Sequence, residues 1–472
     1  MTSINDFIKK YSKAITEGYA AVFAGAGLSK PSGYVDWAGL IKGFADSVKL
    51  DVNKESDLVE VIQFFCNSNG GRGAVNDAIY EKFTKHAKSN ANMQVLSRLP
   101  IGTYWTTNYD CIIEKELEAI GKIVDVKIVP ENLAVTKTNK DAIVYKMHGD
   151  CSNPAKCVLT KDDYESYNLY RQLFTTALQG DLVSKTFLFI GFSFDDPNLK
   201  YILSRIRVLL GENHREHYFF SKRISKSDCK SRADYDYKVN RRQLQINDLI
   251  RYGIHAIEVN DYSEITDILK KVALHVNTKN VFIAGSCRNY GTWEKSQANT
   301  FMYLLGQKLI YNGFGVHTGL IEGVGPQVTN GALYAINERG LQISKYLRIT
   351  TLPLIDGKDT HIDKNAKRMF QNDMISEVGI VVFLFGNQYY EGRLESSKGV
   401  MGDYYRAKEQ HKYMIPVGST GYASLDIFID MKAEFENYRY LNNYWTKLQT
   451  EKDPEKLSDL VIEIINSIIE SI

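Results

Sequence analysis

The chain has 472 residues, too many for one hydrophobic core, so two or three domains are expected. Hydrophobic residues make up 44% and charged residues 24%, an ordinary globular balance that excludes a disordered or fibrous class. A net charge of +2 excludes a strong electrostatic drive toward nucleic acid or an anionic membrane surface, and no apolar run reaches the roughly 18 residues of a spanning helix.

The first pattern is amphipathic, with Ile4, Phe7, Ile8, Tyr11 and Ile15 on one helical face. It has no continuous apolar centre and is not a signal peptide. An apolar run, Ala20–Ala24, then leads into Gly25-Ala26-Gly27 and Ser29, as a buried parallel strand does when it turns sharply into a helix beside a dinucleotide. Gly25 and Gly27 lack a Cβ and so would let the backbone approach a pyrophosphate, and the following helix would offer its free N–H groups. Gly33-Tyr34-Val35-Asp36-Trp37 follows, and residues 37–99 read as helical with few strand signals. Pro100 and Gly102 introduce a strand that ends in Thr106-Thr107-Asn108-Tyr109-Asp110. Apolar residues 142–145 lead into Lys146-Met147-His148-Gly149-Asp150, and Thr186–Ile190 leads into Gly191-Phe192-Ser193. Residues 158–167 read as a turn entering a helix, and the mostly basic stretch 221–242 as a solvated surface element.

In this order the stretches resemble the sirtuin family: its GAG-x-S loop, its G-I-P-D-F element, its T-Q-N-x-D, its H-G and its G-T-S. The resemblance covers roughly residues 1–270. It implies that residues 37–99 form a helical cap inserted on a Rossmann core.

A second start appears at Lys279. Residues 281–286 read as a strand ending in Gly285-Ser286, with a helix over 293–310 after it. Phe314-Gly315-Val316-His317-Thr318-Gly319, the glycine-rich Glu322-Gly323-Val324-Gly325-Pro326 and a helix over 328–338 come next. Residues 347–354, 379–385 and 413–417 read as further strands. This order resembles the SLOG domains. The P-G-G-x-G-T-x-x-E loop of their phosphoribohydrolase members is missing, with Phe385-Gly386-Asn387 and Lys398-Gly399 instead, which implies binding without catalysis. The predicted fold class is α/β, with two Rossmann-like doubly wound domains. The first, 1–276, is sirtuin-like with a helical insertion, and the second, 277–472, is SLOG-like. That layout resembles, over the whole length, the NAD-degrading effector of the Thoeris anti-phage defence system.

Breaking the nicotinamide–ribose bond of NAD+ develops positive charge on the ribose, as glycosidic cleavage does. Asn108 can donate to and accept from a hydroxyl and a water, and the imidazole of His148 can take a proton near neutral pH. These two are the candidate catalytic residues; the alternatives are a helix cap for Asn108 and an ordinary turn histidine for His148. Ala24, Gly25, Ala26, Ser29, Asp36, Asp110, Gly191 and Ser193 are candidates for holding NAD+. Asp36 stands where sirtuins place an aspartate near the nicotinamide amide, but Val35 and Ala38 depart from the pattern, leaving a loop or helix-cap role open. Asp110 is expected to hold its loop through backbone N–H groups. In the second domain Gly285, Ser286, Gly323, Gly325, Arg368, Lys398 and Asp403 are candidates for a phosphate- and ribose-bearing activator. His317 reads as a strand-end residue.

The six cysteines contain no C-x-x-C pair and suit reduced thiols in a cytosol. Cys151 and Cys157 are too far apart for a zinc knuckle, so no metal and no cofactor are expected, NAD+ being the substrate. Without the zinc-bearing wall of the deacylating sirtuins, water is the simplest acceptor. The resemblance implies a cytoplasmic NAD+ glycohydrolase, a homo-oligomer (tetramer or higher), activated by a cyclic ADP-ribose isomer that a TIR-domain partner protein makes. An ADP-ribosyltransferase or deacylase of sirtuin type, and a non-catalytic nucleotide-gated scaffold, are the alternatives.

Overall fold

The computed structural model describes residues 2–55, 57–85, 88–192, 194, 197–211, 213–350, 372 and 374–471. Ser193 and Arg368, and the end of the strand expected over 347–354, lie outside the described residues. The chain divides into two compact units, Met1–Ala273 and Leu274–Ile472. The division falls inside one helix, Glu264–Asn277, rather than at its end, where the sequence pattern puts it.

The first unit is a parallel sheet of seven strands: β1 (Ala20–Ala24), β2 (Thr103–Thr106), β3 (Val124–Lys127), β4 (Ala142–Lys146), β5 (Thr186–Ile190), β6 (His217–Lys222) and β7 (Ile254–Val259). Their order is β3-β4-β2-β1-β5-β6-β7, so the chain builds outward on one side of β1 and later returns to its other side. β1, β2 and β5 are buried along their whole length, as strands covered on both faces must be. Phe23, Trp105, Phe174, Phe187 and Phe189 pack in one cluster of the core. Among the described residues of the insertion, 37–99, come the helices Trp37–Ser47, Leu58–Ser68, Gly73–Phe83 and Ala91–Arg98. Asp36, Asp57 and Asn90 cap the first, second and fourth through side-chain oxygens that accept free first-turn N–H groups.

Register decides where the loops emerge. Ala24 pairs with Thr106 on one side and Ile190 on the other, and Thr106 pairs with Lys146. Gly25, Thr107, Met147 and Gly191 therefore leave the sheet side by side at its C-terminal edge, where open α/β sheets bind ligands. Two of these loops interlock. The Gly25 N–H donates to the Ile190 carbonyl and the Gly27 N–H to the Gly191 carbonyl, both at 2.9 Å. Gly191 has a φ of +65°, and a Cβ there would lie 2.1 Å from the Leu28 nitrogen; one on Gly25 would lie 2.4 Å from the Gly191 oxygen. The absence of a Cβ at Gly25 and Gly191 is thus required by the contact between these two loops. The helix expected after the loop is a single turn, Ala26–Ser29, followed by a 3-10 turn over Lys30–Ser32.

The second unit has a parallel sheet of β8 (Asn280–Ser286), β9 (Gly315–Thr318), β10 (Leu347–Ile349), β11 (Ile380–Phe385) and β14 (Tyr413–Pro416). The order is β10-β9-β8-β11-β14. A hairpin of β12 (Asn387–Tyr390) and β13 (Arg393–Ser396) stands apart from that sheet. Among the described residues no helix is long and apolar enough to cross a membrane.

Candidate active site and ligand-binding edges

The loop after β2 is built from Thr106 outward. Its Oγ1 donates to the Ala24 carbonyl at 3.0 Å and accepts the Asn108 N–H at 2.9 Å, which folds the chain back toward β1. The Asn108 side chain then donates through Nδ2 to the Gly25 carbonyl and to Ser29 Oγ, each at 3.0 Å. With both amide hydrogens committed, Oδ1 is the remaining hydrogen-bonding atom of a side chain in a residue only 8% exposed. Asp110 accepts the Ile112 N–H at 3.0 Å. Asp110 therefore does hold its loop through a backbone N–H. The next helix begins at Ile112 with Cys111 at its cap, so Asn108 is not a helix cap.

A narrow cleft opens against this loop. Ala26 and Ser29 line it from the loop after β1, Asn108 and Asp110 from the loop after β2, and Val35, Asp36, Trp37 and Leu40 from the start of the helical insertion. Asp36 does two things here. It caps the helix through the Gly39 N–H at 2.9 Å and pairs with Lys30 at 2.9 Å. The Lys30 and Gly39 donors hold its carboxyl below the usual range.

His148 follows β4 and is 1% exposed. The rings of Tyr164 and Tyr167 stand edge-on to it at 5.6 and 6.1 Å. The same segment is fastened from below: Arg171 donates to the carbonyls of Met147, Ile128 and Lys156 at 3.2, 3.0 and 2.7 Å. The structure brings Asn108, Ser29, Asp36 and Asp110 to the cleft; His148 and Gly191 do not line it.

Beneath both loops sits Lys146, with 0% exposure. Its ammonium contacts the Asp150 carboxylate, Glu114 Oε1 at 3.1 Å and the Tyr109 carbonyl at 3.4 Å. Burial alone would lower its pKa, but Glu114 and Asp150 reverse that and hold it above the ordinary lysine value. One cation cannot neutralise three carboxyls. Lys146 outweighs burial at Asp150 and keeps that carboxyl low, whereas burial pushes Glu114 and Asp110 up.

Sequence reasoning missed this cation because Lys146 reads as the polar end of a strand. It also missed a sulfur pair. Cys111, Asp150 and Cys151 place their ligand atoms within 4.8 Å of one another, and this is the group among the described residues that could hold a metal ion. Cys157, the partner considered from spacing, instead points its sulfur at the Asp150 carbonyl, 3.2 Å away.

In the second unit the corresponding edge is organised by Asn387, which is 0% exposed. Its carbonyl accepts from Ser286 Oγ at 2.9 Å, and its Oδ1 accepts the N–H groups of Arg288 and Asn289 at 2.9 and 3.0 Å. No sequence signal marks Asn387 beyond its place after a strand. Gly285, Gly323 and Gly325 meet backbone at this edge: a Cβ on each would lie 2.5, 2.1 and 1.8 Å from a carbonyl oxygen. Lys398 is the first residue of the helix Lys398–Glu409; its ammonium lies 4.6 Å over the Tyr390 ring and 4.0 Å from Glu395. His317 lies within β9, and burial lowers its pKa to about 4.

Asp403 lies on the same helix as Lys398 with its side chain 14% exposed and 3.3 Å from Arg406. Burial, only partly offset by Arg406, pushes its carboxyl up from 3.8 to about 7. A raised carboxyl stabilises the fold fully below the unfolded value, and that contribution is lost as pH rises through the folded one. The loss should run at up to about 1.4 kcal/mol per pH unit over this window. Melting curves between pH 5 and 8 should therefore show a decline with rising pH in the parent that Asp403→Asn removes; an equal decline in both would refute the assignment.

A SIR2-like domain model matches residues 102–241, and the model of the Sir2- and TIR-associating SLOG family matches residues 264–468. The first match begins after the Gly25–Ser29 loop, which enters the site through its hydrogen bonds to Asn108. The NAD(+) hydrolase ThsA of Bacillus cereus (strain MSX-D12) is 43% identical over 468 residues, covering 98% of this chain and 97% of that protein. The protein of the same name from Acinetobacter baumannii (strain 532279) is 38% identical, with 98% of both chains covered. That of Enterococcus faecium is 39% identical, again with 98% of both covered. Two family models in series and identity along the whole length agree: the chain belongs to the ThsA family of NAD(+) hydrolases.

Proposed function

We propose that the chain hydrolyses NAD+ to nicotinamide and ADP-ribose at the C-terminal edge of its first sheet, and that its second unit switches this reaction on by binding a cyclic ADP-ribose isomer. The observation that carries the reading is the union of two loops at that edge, Asn108 being hydrogen-bonded to Gly25 and Ser29 beside the cleft. The cleft is a narrow opening lined by Asp36, Asn108 and Asp110, and the nicotinamide riboside end of the dinucleotide is what we place against it. Oδ1 of Asn108 holds a ribose hydroxyl or the attacking water. Water oxygen bonds to the anomeric carbon, the glycosidic electron pair leaves with neutral nicotinamide, and the water proton passes to His148. No metal is required for this step.

His148 is 1% exposed and covered by Tyr164 and Tyr167. This form thus keeps the proton acceptor out of the cleft, and activation consists of uncovering it. Moving a state from about 1:99 to 99:1 needs roughly 10⁴-fold preference of the activator for the active form. The match to a Sir2- and TIR-associating SLOG family supports a nucleotide activator made by a TIR-domain partner. In this scheme the chain works in the cytoplasm as a homo-oligomer, tetramer or higher, and depletes NAD+ in the infected cell.

The test is purified protein with NAD+, with and without cyclic ADP-ribose isomers, followed by quantification of both products. Equal yields of nicotinamide and free ADP-ribose are expected, and only with one of the isomers. ADP-ribose attached to protein would favour transfer, and indifference to every isomer would remove the sensor. Lys398→Ala should raise the half-activating concentration by roughly 10-fold or more, the loss of one charge-assisted contact.

A further inference from the structure

Cys111 directly follows the Asn108–Asp110 loop, and Cys151 stands three residues beyond His148. Their sulfurs lie within 4.8 Å of each other, and Cys111 Sγ lies 3.4 Å from Asp150 Oδ2. The Lys146 ammonium is 3.9 Å from the Cys111 sulfur. Cys151 Sγ lies 3.5 Å from the carbonyl of Phe83, a residue of the cleft wall. Cys111 is partly exposed and Cys151 is buried. We propose that Cys111 and Cys151 form a reversible oxidation site whose disulfide ties the Asn108 loop to the His148 loop and stops NAD+ cleavage.

The surroundings favour that chemistry. The Lys146 ammonium stands beside the sulfur pair, 3.9 Å from Cys111 Sγ, and a neighbouring positive charge of this kind favours the thiolate, here that of Cys151. That thiolate attacks a peroxide, breaking the O–O bond to give a sulfenic acid and, with one proton, water. The Cys111 thiol then attacks the sulfenic sulfur, forming the S–S bond and releasing a second water. Two thiols are oxidised, one peroxide is reduced to two waters, and a small dithiol reverses the bond by exchange. A metal centre fits less well: three ligands fall one short of a closed structural site, and Lys146 already supplies the cation opposite Asp150. Contracting the sulfur contact to a bond must shift both loops, and a displacement near 1 Å at a reacting centre can cost about 10²-fold in rate.

The proposal rests on the NAD+-cleaving site described above, so its test carries a readout that does not depend on activity. The protein is treated with hydrogen peroxide, digested and mapped by mass spectrometry, and assayed for nicotinamide release before and after dithiothreitol. The expected result is a Cys111–Cys151 cross-linked peptide, at least a 10-fold fall in rate, and recovery on reduction. Cys111→Ser, and separately Cys151→Ala, should keep the reduced parent's rate and lose the peroxide response. A cross-link with unchanged rate would overturn the switch, and inhibition that persists in both variants would assign it to other groups. Elemental analysis finding one zinc per chain, lost in Cys111→Ser, would overturn it in favour of a metal site.

Discussion

Replacing Asn108 by alanine should reduce activator-stimulated NAD+ cleavage by at least about 10²-fold, the scale of losing one preorganised polar contact to the reacting centre. The side chain has two jobs that the experiment must separate. Its amide hydrogens fasten the β1 and β2 loops through Gly25 and Ser29, and its oxygen is the atom proposed to meet the substrate. Alanine removes both, so thermal melting must accompany the assay. The loss of two buried hydrogen bonds should cost about 1–3 kcal/mol, which lowers the melting point without unfolding the chain. His148→Ala provides the companion result. Its ring packs on Tyr164 and Tyr167 and does not line the cleft in this form, and removing a general base costs about 10²–10⁴-fold. Folded variants that both keep more than about a tenth of the parent rate would show that the chemistry lies elsewhere.

The largest effect on stability should come from Lys146→Met. The substitution roughly preserves side-chain length and removes the ammonium with its charge and its N–H donors, leaving Asp150 ionised and Glu114 buried without their cation. Glu114 Oε2 already lacks a hydrogen-bond partner among the described residues, so the site has nothing in reserve. Breaking a buried pair from one side costs about 3–5 kcal/mol. For a unit of this size that corresponds to a fall of roughly 6–20 °C in the melting of the first unit. Activity should fall with it, because the Lys146 ammonium also donates to the Tyr109 carbonyl of the Asn108 loop. Adding Asp150→Asn should restore part of the loss. If the single variant melts within about 2 °C of the parent, the cation is not what joins the loops.

Much of this arrangement was legible in the chain. Apolar runs that end in small or polar residues mark β1, β2, β4, β5 and β8, because a strand buried on both faces must be continuous in hydrophobicity and must turn where it leaves the sheet. The helical insertion reads from the dearth of strand signals over 37–99, and helices occupy its described residues. Asp110 shows why a motif can be read even in isolation: its bond to Ile112 N–H spans two residues, within the reach of local patterns.

What tertiary structure alone decided are the meetings between distant positions. Asn108 finds the Gly25 carbonyl 83 residues away, and no periodicity encodes that distance. Gly25 and Gly27 also pack against Gly191 and Phe192, a contact no local pattern announces, because register sets β5 level with β1. Cys111 and Cys151 look unrelated by spacing and meet because β2 and β4 are neighbours in the sheet order. Lys146 reads as a strand-end polar residue, and only the crowding of Glu114, Asp150 and Asp110 around it makes it the charged centre beneath the site. Sequence determines the local choices, strand against loop and cap against interior, since these depend on a few adjacent residues. Which side chains share a dielectric and a hydrogen bond depends on strand order and register, and those are properties of the folded sheet.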